Sequence, residues 1–233
     1  MKNERNFSWR SMTLICLALL ICVGALFIVQ KSFAHSVSTT IQVNTTDGGT
    51  GGPECRLRDA LSAANTEAVV GGCDGSAGAP YIIELIDPGQ GSVYEFSVID
   101  NNLNALPIIS TDITIHGHGG TILRSSEDGT PNFRLFEVAS TGTFHLNDVT
   151  IRDGGVITEG GNLKNAGNAF IQNTAIRFGR AEGGAGISNE GDLTISNSRI
   201  INNYGGCGGG ILNDMTGILT ITNSFLLGNV GDT

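Results

Sequence analysis

Few side chains in this 233-residue chain are of the kinds that move protons, and their spacing keeps them apart. An imidazole sits in His116-Gly117 and a carboxylate in Asn213-Asp214, groups suited to acid–base work on a glycosidic bond. They are far apart in the chain, and no Asp-Asp pair accompanies either. Asp148, Asp153 and Glu159 lie close in sequence, but in alternating β-structure they face different ways, and no Asp-x-Asp-x-Asp-Gly loop offers calcium its oxygen ligands. His118 and His145 stand without neighbouring ligands. Cys207 lies between Gly205 and Gly210 with no basic residue to stabilise a thiolate. The expectation is a chain with no catalytic residue, no metal and no cofactor. Two sets of side chains suit binding instead. Arg152 and Arg177 recur at equivalent positions of a repeat, as do His145 and Phe170, which Asn147 and Gln172 flank. Stacked guanidinium groups attract an acidic sugar or another anion. An imidazole and a phenyl ring amid amides and hydroxyls make a strip suited to glycan or to a protein surface.

A repeat must position these residues. Phe144-His145-Leu146, Ala169-Phe170-Ile171, Leu193-Thr194-Ile195 and Leu219-Thr220-Ile221 recur at about 24 residues, with an earlier copy at Ile113-Thr114-Ile115. Two residues after each third member of the four regular copies come Asp148, Asn173, Asn197 and Asn223; five after it come Ile151, Ile176, Ile200 and Leu226. A second series runs in phase: Leu163-Lys164-Asn165, Ile187-Ser188-Asn189 and Ile211-Leu212-Asn213. Short alternating segments punctuated by Gly and Asn at this period predict an all-β solenoid, a right-handed parallel β-helix of about 24 residues per coil with coils stacked at ~4.8 Å. The leucine-rich repeat has a similar period, but its L-x-x-L-x-L skeleton is missing. Alternation puts Leu193 and Ile195 inside, Thr194 and Ser196 outside and, by the same count, Asn197 inside. Asp148, Asn173, Asn197 and Asn223 are therefore expected to stack as a buried structural ladder, their amides bonding to one another and to turn backbone.

The chain before residue 80 reads differently. Leu57, Ala60, Leu61 and Ala64 make one apolar stripe on a short helix, expected to cap the open end of the first coil, and Ile41-Gln42-Val43 reads as a lone strand of that coil. Lys2, Arg5 and Arg10 precede an uncharged run over residues 12–29, and Ser32-Phe33-Ala34 ends it with small residues. This predicts a secretory signal over 1–34, or an uncleaved anchor that tethers the protein to a membrane. The expected organisation is 1–34 signal, 35–79 strand and capping helix, and 80–233 β-helix. In an exported chain Cys55 and Cys73, which bracket the helix, are expected to form a disulfide, leaving Cys207 single. A net charge of −9 argues against a nucleic-acid partner, and 15% charged residues are too few for a coiled coil or a disordered polyelectrolyte.

Cys55-Arg56-Leu57-Arg58-Asp59-Ala60-Leu61, followed by Ala63-Ala64-Asn65 and Cys73, resembles the Cys-Ser-Leu-Arg-Glu-Ala motif domain of bacterial exported β-helix proteins; Arg56, Asp59 and Leu61 replace the motif's Ser, Glu and Ile. Leu106-Pro107-Ile108, Thr114-Ile115-x-Gly117, Thr121-Ile122 and Phe136-x-Val138 fit the same pattern, and Gly183 to Asn189 is similar to repeats of polymorphic outer-membrane proteins. The resemblance spans residues 39–233 and implies export and a β-helix. The fold also hosts pectate lyases and polygalacturonases, whose Asp-Asp and Arg-Ile-Lys motifs are missing here. The expected function is an adhesin-like or scaffold protein, secreted or on the cell surface, that contacts a cell-surface polysaccharide or another surface protein. A lyase or hydrolase of the pectate-lyase-like class is the alternative. No helix, proline cluster or charged strand follows Leu226 to cover the last coil, so the chain is expected to be a piece of a longer protein or to self-associate end to end through residues 219–227.

Overall fold

The computed structural model describes residues 38–86 and 91–231, so the signal read at 1–34 lies outside the described residues. They form an all-β parallel solenoid with a single helix, Leu57–Thr66, and no helix among them is long and apolar enough to cross a membrane. Four faces surround one core. The first consists of Thr39–Gln42, Tyr81–Glu84, the starts of Asp112–Arg124 and Thr143–Arg152, then Asn168–Gln172, Asp192–Ser196 and Ile218–Thr222, each parallel to the next. The second consists of Val93–Phe96, the ends of the two long strands, Ala175–Arg177, Arg199–Ile201 and Phe225–Leu227. Arg180–Gly183, Tyr204–Cys207 and Val230–Gly231 make the third. Phe136–Val138, Leu163–Asn165, Ile187–Asn189 and Ile211–Asn213 make the fourth.

The core follows from register. Ile41, Ile83, Ile115, Leu146, Ile171, Ile195 and Ile221 form one column through the first face. Aliphatic side chains one strand spacing apart touch their equivalents above and below, and each one buried contributes ~1.5–3 kcal/mol. The intervals along this column shorten. The early coils are long because they hold the helix and irregular segments; from Leu146 onward the spacing settles near the expected period.

Between the first and second faces the chain turns on a left-handed residue: Asp148 (φ 53°), Asn173 (φ 51°), Asn197 (φ 49°) and Asn223 (φ 48°). Asn and Asp adopt this conformation at low cost because their short polar side chains bond locally. The following residue turns inward, so Val149, Thr174 and Ser198 are buried. The expected ladder is therefore corrected: Asp148, Asn173, Asn197 and Asn223 are all exposed. One left-handed residue breaks the alternation, and counting straight through the bend puts them on the wrong side. Amide ladders do run inside, at other positions. Asn165 Nδ2 donates to Asn189 Oδ1 at 2.8 Å, and Asn189 Nδ2 to Asn213 Oδ1 at 2.7 Å; Asn165 and Asn189 also bond the carbonyls of Gly167 and Gly191. Asn162, Asn203 and Asn229 form a second ladder. At the bend itself, Ser198 Oγ accepts from the Thr174 N–H and Ser224 Oγ from the Ser198 N–H. Stacked coils thus satisfy buried polar groups with their own equivalents in the next coil.

Leu57, Ala60, Leu61 and Ala64 are buried in the same core as the strands, as the helical stripe predicts. Arg58 Nε donates to the Ala105 carbonyl at 2.8 Å with its guanidinium 5.1 Å from the Phe96 ring, and Asn65 bonds Ile108 and Ser110. Cys55 and Cys73 are disulfide-bonded, and Cys207 is exposed and free. At the other end Phe225, Leu226, Leu227 and Val230 are exposed, whereas Ile195 and Ile200 one coil earlier are wholly buried.

Candidate functional site

The outside of the first face carries two adjacent columns. One reads Thr114, His145, Phe170, Thr194, Thr220; the other reads Glu84, His116, Asn147, Gln172, Ser196, Thr222. Parallel register stacks the His145 and Phe170 rings, with centroids 4.5 Å apart and planes 8° from parallel. Burial disfavours a charge on His145 and outweighs the pull of Asp112, so its pKa falls below the ordinary value and the neutral ring packs as an aromatic. Phe170 remains 39% exposed. The two rings cover one another's facing sides and leave a small exposed aromatic patch beside amide and hydroxyl side chains held at strand spacing.

One and two coils toward the helix lies a charged cluster. Glu84 Oε1 is 2.9 Å from His116 Nδ1, and Oε2 is 2.7 Å from His118 Nε2. Register sets Glu84 beside His116, while His118 sits in a left-handed turn (φ 49°) that lets it reach the same carboxylate. His118 is therefore not the isolated residue that the sequence suggests. Burial works against the Glu84 carboxylate, but hydrogen bonds from His118 and His116 prevail and hold its pKa below the ordinary value. An imidazole–carboxylate–imidazole set can pass a proton. Among the described residues no group of three or more His, Cys, Asp or Glu is placed to hold a metal ion.

Arg152 and Arg177 are register partners on the second face, as the repeat requires. Their guanidinium groups engage different neighbours. Arg152 bonds Asp153, whereas Arg177 lies 5.4 Å from the Phe178 ring centroid, with its Nε buried and without a hydrogen-bond partner. Arg152 lines a cavity of about 500 Å³ together with Arg124, Arg180, Phe178, Glu95 and Asp153. A shallower groove of about 310 Å³ follows the first bend past Asp148, Asn173, Asn197 and Arg199.

Glu84, Glu95, Arg124, Phe178, Arg180 and Arg199 are residues of these sites that sequence reasoning missed. Glu84 had a signal, since Tyr81-Ile82-Ile83-Glu84 alternates as Ile113-Thr114-Ile115-His116 does. Comparison of the chain with protein-family profiles, curated proteins and solved structures finds no match. The parallel solenoid is consistent with a β-helix; the resemblance to exported β-helix proteins rests on the motif residues at Cys55 to Cys73 and their downstream pattern alone.

Proposed function

We propose that this chain is an exported, non-catalytic β-solenoid that acts outside the cell or at its surface as a scaffold whose first face contacts glycan. The observation that carries this reading is the His145–Phe170 stack, set in a strip of Asn, Gln, Ser and Thr. The apolar C–H face of a sugar ring packs on an aromatic face, and its hydroxyls bond amides and hydroxyls beside it. Parallel strands fix these side chains before any ligand arrives, which lowers the ordering cost of binding. Export is supported by the leader-like pattern at 1–34 and by the Cys-Ser-Leu-Arg-Glu-Ala-like motif.

A glycan array probed with the full chain tests it. Capture of an extended glycan without cleavage is expected, with Phe170→Ala weakening capture about tenfold, the loss of ~1.4 kcal/mol of stacking. The second reading, a polysaccharide-cleaving enzyme of the pectate-lyase-like class, draws on the Glu84–His116–His118 cluster. Release of reducing or unsaturated sugar ends, abolished by Glu84→Gln, would establish it and overturn the non-catalytic reading. Capture of no glycan and release of no sugar ends would remove both.

A further inference from the structure

The bend that ends the second face is also built on a left-handed residue. In successive coils that position is Asp153 (φ 64°), Phe178 (φ 56°), Asn202 (φ 53°) and Gly228 (φ 64°), each following a residue of one register column, Arg152, Arg177, Ile201 and Leu227. Asp, Asn and Gly suit this conformation. Phenylalanine does not: its side chain is bulky and has no polar atom to bond locally. Seven of the ten non-glycine residues at positive φ among the described residues are Asn or Asp, and Phe178 is the one phenylalanine. Turning the coil does not call for it, since any of its column neighbours is better suited. Nor is it a core residue, for it remains 37% exposed and lines the cavity of about 500 Å³. Backbone strain retained beside a cavity points to a ligand.

The rest of the lining says which kind. Arg124, Arg152 and Arg180 outnumber Glu95 and Asp153 there, on a chain whose net charge is −9. Asp153 is engaged by Arg152. Arg124 is oriented by the carbonyls of Pro131 and Thr130, each at 2.7 Å, and shares the charge of Asp153 with Arg152, so two guanidinium groups draw on one carboxylate. Arg180 has no carboxylate partner among the described residues, and its guanidinium sits 5.7 Å from the Tyr204 ring centroid. Guanidinium groups bind carboxylate and sulfate in a fork, and an aromatic face accepts the C–H side of a sugar ring. The volume lies within the ~300–1,000 Å³ of small-ligand sites.

We propose that the cavity walled by Phe178, Arg124, Arg152 and Arg180 binds one acidic residue of a saccharide, its ring against Phe178 and its carboxylate or sulfate against the guanidinium groups. This site uses other residues on another face and goes beyond the first-face reading.

Calorimetric titration of the full chain with glucuronate-bearing, sulfate-bearing and uncharged tetrasaccharides, and with a tetraglutamate peptide, tests it. An acidic saccharide should bind at least about tenfold tighter than both the uncharged one and the peptide. The difference between the two acidic arms separates carboxylate from sulfate. Phe178→Asn should raise Tm by a few degrees, by relieving the bend, and weaken binding at least about tenfold. Arg180→Gln should weaken binding comparably with Tm unchanged. Opposite signs for stability and binding are not what a packing role would give. The proposal is overturned if acidic and uncharged saccharides bind alike, if the peptide binds as tightly as the sugar, if Arg180→Gln binds as wild type does, or if Phe178→Asn lowers Tm. Phe170→Ala should leave this binding intact while it disables the first face, so the two readings fail separately.

Discussion

Asn189 and Asn197 belong to one coil and make opposite demands. Asn189 is buried with its amide joined to Asn165 and Asn213, so Asn189→Ala leaves buried polar groups unpaired and should cost about 1–3 kcal/mol. Asn197 is exposed at φ 49°, where glycine is at ease, and Asn197→Gly should change stability by less than about 0.5 kcal/mol. Urea unfolding of the two variants checks both; equal losses would put the bend residues back inside. Both asparagine series were legible as a type and a period. Which one is buried hangs on a single backbone torsion at the bend, although the odd spacing of inward Ile195 and Ile200 already implies that alternation breaks between them. Protons act at the same scale. His145 and Glu84 both have lowered folded-state pKa values, so the unfolded chain binds more protons and stability falls on acidification. His145 contributes above its ordinary 6.5 and loses that contribution as pH drops through its folded value; Glu84 does the same below its ordinary 4.5. His145→Phe should flatten the first loss and leave the second, as read by urea midpoints followed from neutral to acid pH.

The helix Leu57–Thr66 has ten residues, too few to persist alone in water. It is held by its buried stripe, by Arg58 and Asn65, and by the disulfide across it. Reducing Cys55–Cys73 opens a loop of sequence separation 18 and should lower stability by about 3 kcal/mol. Hydrogen exchange should then accelerate in the helix and first coil ahead of the later coils; uniform acceleration would show that the ends are not separate cooperative units. The stripe and the cysteine pair were legible because both are local. The Arg58 anchor was not, since its acceptor at Ala105 lies 47 residues on in an irregular segment with no period to announce it.

Across the whole molecule the coils become uniform at Leu146. Before it, Ile41 and Ile113 to Ile115 were legible as single strands, but inserts lengthen their coils and hide Ile83, and the column that joins them, from a fixed period. The last described coil presents Phe225, Leu226 and Leu227 with no partner strand beyond them among the described residues. The 233-residue chain should accordingly form dimers or larger species in analytical ultracentrifugation, and a polar capping coil fused after Thr233 should suppress them. A monomer without the cap would show that this edge does not recruit a second chain.

The disulfide and helix fasten one end of a stack whose other coils are joined only by strand ladders and side chains. Under tension between its termini such a stack unspools from the unfastened end, one turn at a time. Each uniform turn, about 24 residues as in the Asn165-to-Asn189 interval, releases roughly 80 Å of slack. A force–extension trace should therefore show a sawtooth of near-equal steps ending at the cystine, so that under load the molecule lengthens by increments instead of failing at once.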